Sequence, residues 1–198
     1  MKTKIWITII IIAFFFSGCI VYSFYPLYTE DDLFPNDILT GNWADDDDSQ
    51  WIFEHAYYGK KVIENIDSTS YVLTVKTKDD QLSEFSVHIV KLGGHYFLDF
   101  YLEDFLGDKE LTLEDFHIVP VHTFAKLTVK NDTLQINWFD HDWLENLIEE
   151  NRIRIHHENN GDYILLTAKP GELQKFVTKY VNSNEAFEDG MEAVLTRK

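Results

Sequence analysis

Glu84 to Phe105, EFSVHIVKLGGHYFLDFYLEDF, followed by Phe116 to Glu150, FHIVPVHTFAKLTVKNDTLQINWFDHDWLENLIEE, holds the densest run of strand signals in the 198-residue chain. Apolar, β-branched and aromatic runs are separated there by Gly93-Gly94, by an acidic stretch and by Asn131-Asp132. Two adjacent glycines supply the positive φ angles of a tight hairpin, so this order predicts an antiparallel meander. Period-2 reading of the strand after the hairpin puts Tyr96, Leu98, Phe100 and Leu102 on one face and His95, Phe97, Asp99 and Tyr101 on the other. One face reads as core and the second as mixed. Residues His117 to Val129 read as a long strand in which Pro120, which has no N–H to give a ladder, marks an edge or a bulge.

Working back from that stretch, Tyr71 to Lys76 reads as a strand, Tyr57 to Ser70 as polar and irregular, and Gln50 to His55 as a strand with Trp51, Phe53 and His55 on one side. Asp45 to Asp48 reads as the solvated tip of a hairpin, because four adjacent carboxylates repel one another inside a regular element. A calcium loop is the sharper alternative, but the glycine and the closing glutamate of an EF-hand are absent. Working forward, Asp140 is a good N-cap for a short helix with Trp143, Leu144, Leu147 and Ile148 on one stripe. Arg152 to His157 and Asp162 to Ala168 read as a strand pair joined through Asn159-Asn160-Gly161. Pro170 opens a second helix, Glu185 to Phe187 suits one further turn, and Met191 to Thr196 suits a closing strand. Glu103 to Asp115 is an acidic connection with room for a helical turn.

The length suits one domain, and 45% apolar with 15% aromatic residues is a core-building composition. The formal charge of -17 argues against nucleic acid as a partner, since phosphate binding needs clustered Lys and Arg. Without Lys2 and Lys4 the remaining 15 basic side chains face 34 acidic ones. One cysteine, Cys19, leaves neither a disulfide framework nor a CxxC pair.

Chemistry-bearing constellations are sparse. There is no GxSxG, no HExxH and no phosphate-binding glycine loop, because Gly93-Gly94 does not open a helix. A carboxylate and imidazoles around one hairpin, His88, His95, Asp99 and His122, leave a metal-assisted hydrolase as the weakest of three readings. His117 and His122 are five apart and point to opposite faces of a regular strand. His141, His156 and His157 read as surface or strand-edge residues. No cofactor, no resident metal and no catalytic residue are expected.

At the front, Met1 to Lys4 is a positive n-region and Ile5 to Phe16 an apolar h-region. Phe16-Ser17-Gly18-Cys19 resembles the bacterial lipobox, with Phe16 where a Leu-like residue is usual. That resemblance implies transfer of a diacylglyceryl group to the Cys19 thiol, cleavage that makes Cys19 the mature N-terminus, and a membrane anchor made of lipid. Ile20 is not the Asp of an inner-membrane retention signal, so outer-membrane sorting is the expectation in a diderm host. The alternative is an uncleaved anchor, since no charged residue occurs from Ile5 to Tyr28. Both place the folded part outside the cytoplasm. The expected division is 1–18 signal peptide, 19–35 lipidated Cys19 with a tether, and 36–198 a single β domain.

Gly41-Asn42-Trp43 resembles the GxW signature of lipocalin and calycin barrels. Val90 to Gly94 with Phe97-Leu98-Asp99, the strand Val119 to Phe124 and Asp142-Trp143-Leu144 resemble a group of small bacterial lipoproteins of unassigned function. The resemblance implies a mainly β fold, an antiparallel meander closing into a barrel of about eight strands with two helices on its outside or end. On that reading Trp43, Trp51, Tyr71, Phe97, Tyr101, Phe124 and Trp138 line a pocket for a small apolar or amphipathic ligand. The alternative is a filled barrel with a structural or assembly role toward an envelope protein.

Overall fold

The computed structural model describes residues 20–57, 66–102, 113, 117–161 and 163–198. The stretch expected to be a signal peptide, Cys19 and nearly all of the acidic connection lie outside these. Strands follow in the order β1 Tyr22–Ser23, β2 Gly41–Ala44, β3 Gln50–Tyr57, β4 Ile66–Lys76, β5 Leu82–Leu92, β6 His95–Tyr101, β7 His122–Lys130 and β8 Thr133–Trp138. Helix α1 His141–Glu149, strands β9 His157–Asn159 and β10 Ile164–Leu166, helix α2 Pro170–Tyr180 and strand β11 Glu192–Arg197 complete the chain.

Antiparallel pairing runs β2-β3-β4-β5-β6-β7-β8-β11 and returns from β11 to β2, so these strands close a barrel. The mainly β barrel with two helices expected from the meander and the GxW resemblance is what the chain forms, and its shape is compatible with a lipocalin-like barrel. The hairpins lie where expected: Gly93 and Gly94 have φ of 56° and 84°, and Asn131 turns with φ of 52°. In the aspartate turn Asp48 takes the positive φ, while the Asp45 carboxylate accepts from the backbone N–H of Asp47 and Ser49 and from Trp51 Nε1. That carboxylate is spent on holding the turn.

Closure is secured at the seam. Arg197, on β11, lies over the Trp43 ring at 4.1 Å and donates to the carbonyls of Thr40 and Ile38. Trp43 Nε1 donates to the Leu39 carbonyl at 2.6 Å. The first and last barrel strands and the approach to the barrel are thereby tied together. Gly41 has φ of +123°, and a Cβ there would fall 2.9 Å from Arg197 Nη1. Glycine in the GNW stretch therefore has a backbone reason as well as a steric one.

Two cores share the barrel wall. The inner one contains Leu39, Trp43, Phe53, Tyr71, Leu73, Val87, Ile89, Leu98, Phe100, Ala125, Leu127, Leu134, Ile136, Trp138 and Leu195. The outer one packs Val90, Leu92, Phe97 and Phe124 from the other face of β5–β7 beneath Val21, Leu27, Phe139, α1, α2, and Ile164 and Leu166 of β10. The second face of β6 is thus a core in its own right rather than mixed surface. Each large apolar side chain moved out of water there stabilises by about 1.5–3 kcal/mol.

Four expectations are corrected. Residues 20–35 are not a tether: Val21 and Leu27 are buried, β1 pairs with β7 and β10, and Ile20 bridges to Asp140. The physical reason is composition, since the stretch is uncharged and apolar up to Glu30 and gains more from packing than from solvation. Strand β4 begins at Ile66 instead of Tyr71, its first residues reaching β3 after a register shift beside His55. The seventh strand begins at His122 instead of His117, two residues after Pro120. The later pair is short, with His157–Asn159 opposite Ile164–Leu166, while 152–156 runs irregularly and buries Ile155.

Candidate functional site

The most polar buried place among the described residues lies on the outer face of β5, β6 and β7. His88 on β5 is directly opposite Asp99 on β6, and His122 on β7 is opposite Tyr101, two residues further along β6. Period 2 therefore brings His88, Asp99 and His122 to one face. The N-terminal segment crosses over that face and covers it with Leu27 and Tyr28.

Asp99 has no exposed surface. Its Oδ2 accepts the Leu27 backbone N–H at 2.7 Å, and its Oδ1 lies 2.7 Å from His122 Nδ1. A carboxylate only accepts, so the proton of this bond is on His122 Nδ1. The Tyr101 ring lies against this imidazole at 4.6 Å. His88 sits under the Tyr28 ring at 4.5 Å, with Tyr28 Oη 3.5 Å from its Nε2. Its Nδ1 is buried without a hydrogen-bond partner. Burial pushes the His88 pKa below 6.5, against the pull of Asp99 and Asp67, and His122 pushes the same way as burial. His88 is accordingly neutral near pH 7.

An imidazole oriented by a buried carboxylate is the geometry of a general base, so its surroundings decide what it does. The residue opposite His122 on β1 is Ser23, whose hydroxyl donates instead to the Tyr25 carbonyl at 2.7 Å. Ser23 is itself fully buried. Both Asp99 oxygens are engaged, one by the crossing segment. The arrangement acts as a clasp that holds residues 24–28 on the barrel wall. His95, at the opposite end of β6, is four residues from Asp99 along a strand and thus about 13 Å away, outside the cluster. His117 is exposed and bonds the Leu113 carbonyl. Among the described residues the group of three side chains whose ligating atoms all lie within 4.8 Å of one another is His141, Asp142 and Glu145, in the first turns of α1.

The seven aromatic positions do not meet in one pocket. Trp43, Tyr71 and Trp138 lie buried inside the barrel, with Trp51 half-buried against them. Phe97 and Phe124 belong to the outer core, and Tyr101 lies on His122. The barrel wall separates the two groups, because residues an odd number apart on β6 and β7 face opposite ways. Inside, Trp51 stacks near Phe53, His55 on Tyr71, and Phe100 on Trp138. A cavity of about 90 Å³ lies toward one mouth, against Ile89, Leu127, Tyr96 and Val129, under the covering residues Phe34 and Ile38.

The Tyr71 hydroxyl has no partner at bonding distance. Burial first, and then the charge of Asp37, push its pKa up to about 12, with the Asn36 amide opposing. His55 Nε2 is 2.9 Å from Asp37 Oδ1, which lies in the segment that caps this mouth.

The convergence of His88, Asp99 and His122 was legible in the sequence, but not their use as a clasp on residues 24–28, nor the outer core. The available signal was a single aspartate set among Phe97, Leu98, Phe100 and Tyr101, a charge in a place where only a satisfied one survives. No protein-family model, curated protein or solved structure matches this chain.

Proposed function

We propose that this chain is a lipid-anchored, extracytoplasmic protein of the cell envelope whose barrel is a filled structural or assembly module. The observation that carries the reading is the division of the aromatic residues by the barrel wall. Trp43, Phe53, Tyr71 and Trp138 occupy the interior, and the cavity at its mouth, about 90 Å³, is well below the roughly 300 Å³ at which small-molecule pockets begin. The lipid anchor is supported by the n-region, the h-region and Phe16 to Cys19. The domain would face away from the cytoplasm, on the outer membrane in a diderm host, and its partner would be an envelope protein. Binding of a small apolar ligand is the second reading, favoured by the apolar lining of that cavity.

Two measurements test this. The chain extracted from membranes is weighed under native and denaturing conditions, and the expected result is the same mass in both, including the acyl chains on Cys19. A further apolar molecule lost only on denaturation would overturn the filled-barrel reading. Incorporation of a labelled lipid precursor, compared with Cys19→Ala, tests the anchor: equal label in both would remove it.

A further inference from the structure

The chain leaves Cys19 with no length to spare. Ile20 is already bridged to Asp140, and β1 pairs with β7 and β10. At about 3.3–3.6 Å per residue, Tyr22 is at most roughly 11 Å, and Phe24 roughly 18 Å, from Cys19. Whatever surface holds Cys19 must lie against this part of the fold.

That part is aromatic and open to solvent. Phe24 is 50% exposed and Tyr163 48% exposed. The parallel pairing of β1 with β10 brings Tyr22 edge-on to Tyr163, with ring centroids 6.3 Å apart. Phe24, held by its N–H on the Leu166 carbonyl, meets Tyr25 edge-on at 5.0 Å. Lys169 Nζ lies 3.5 Å from the centre of the Tyr25 ring, at the rim of the patch. No charged side chain occurs between Ile20 and Thr29, in a chain where acidic residues outnumber basic ones two to one, 34 to 17.

Aromatic rings with one polar end settle at the level of lipid headgroups, and a lysine at their edge keeps its ammonium in the aqueous layer while its stem covers apolar surface. We propose that Tyr22, Phe24, Tyr25 and Tyr163, with Lys169 at the rim, form a membrane-contact surface that seats the barrel directly on the phospholipid bilayer holding Cys19. The proposal rests on the membrane-anchor reading above. It adds an orientation: the barrel stands on the bilayer with the patch in the headgroup layer and the Asn131 hairpin, roughly 26 Å along β7 from the Thr123 that pairs with Tyr22, in water.

The test uses the full chain, processed by a bacterial host and reconstituted in phosphatidylcholine–phosphatidylglycerol vesicles. Nitroxide labels are placed one at a time through Phe24→Cys, Tyr163→Cys, Lys130→Cys and Asp132→Cys, all exposed positions, the last two at the far hairpin. Flotation with the vesicles and the mass of the N-terminal peptide report the anchor independently. The expected result is that labels at 24 and 163 relax several-fold more with oxygen than with a water-soluble nickel complex, and that labels at 130 and 132 do the reverse. Hydroxyl-radical oxidation of the unsubstituted chain should likewise spare Tyr22 and Tyr163 in vesicles relative to the same chain in detergent. A chain that floats while all four labels stay open to the nickel complex keeps the anchor and overturns the contact surface. Shielding of 24 and 163 in native envelopes but not in lipid vesicles overturns it too, in favour of a protein partner. A chain that does not float overturns both readings.

Discussion

Asp99 is a carboxylate without exposed surface, with one oxygen on the Leu27 N–H and the other on His122 Nδ1. Asp99→Ala would leave an amide and an imidazole buried without their acceptor, and the expected loss is about 3–5 kcal/mol in a urea titration. Asp99→Asn, which keeps the shape and one acceptor, should cost clearly less. Tyr71 is the opposite case, a buried hydroxyl with no partner at bonding distance and only a weak approach from the Asn36 amide. Tyr71→Phe should be neutral or stabilise by about 1 kcal/mol. Its pH dependence follows from a folded pKa of about 12 against 10.0 for the free side chain. The protonated form is favoured in the fold, so this contribution is complete below pH 10 and is lost as pH rises from 10 to about 12. Thermal melts across that range should fall for the natural chain and stay flatter for Tyr71→Phe.

At the scale of elements, the segment between α2 and β11 is the tightest fit. A Cβ on Gly190 would fall 2.4 Å from the Trp138 carbonyl oxygen and 3.2 Å from the Asp140 N. Trp138 N–H bonds the Met191 carbonyl and Asp140 N–H bonds the Ala186 carbonyl, so backbone on both sides is pinned. Gly190→Ala should therefore destabilise by about 2–3 kcal/mol in thermal unfolding, because neither side can move without giving up a hydrogen bond. Gly171, at the start of α2, has open space around its Cβ and serves as the control, where Ala should be neutral or slightly stabilising. Helix α1 was readable in advance because its start signal is local. Asp140 accepts from the N–H groups of Asp142 and Trp143, with Leu144 and Leu147 buried below.

The whole molecule is two cores divided by one wall. Strands β5, β6 and β7 supply side chains to both, with Leu98 and Phe100 inward and Phe97 and Asp99 outward. Losing either core would strip β5, β6 and β7 of the packing on one face, so unfolding should be a single cooperative event. Trp143 lies in the outer layer against Phe139, Phe176 and Tyr180, whereas Trp43 and Trp138 lie inside. Far-ultraviolet circular dichroism, which follows the barrel, and the fluorescence of a variant retaining Trp143 alone should give the same urea midpoint. A Trp143 transition at clearly lower urea would mean that the outer layer opens by itself.

What the sequence determined alone is whatever depends on neighbours along the chain. The period-2 runs, the Gly93-Gly94 and Asn131 turns, the Asp140 cap, Pro170 at a helix start and the closing strand after residue 191 all act within a few residues, and all were legible. The eight-strand closure was reachable from the same meander together with the GNW resemblance. What only the tertiary structure decided depends on partners far apart in sequence. Leu27 finds Asp99, Arg197 finds Trp43, and Tyr22 finds Leu165. Period 2 separates two faces of a strand but does not say that both are buried. An apolar stretch such as Ile20 to Tyr28 reads as anchor or tether until the fold provides a surface that is better covered than left wet.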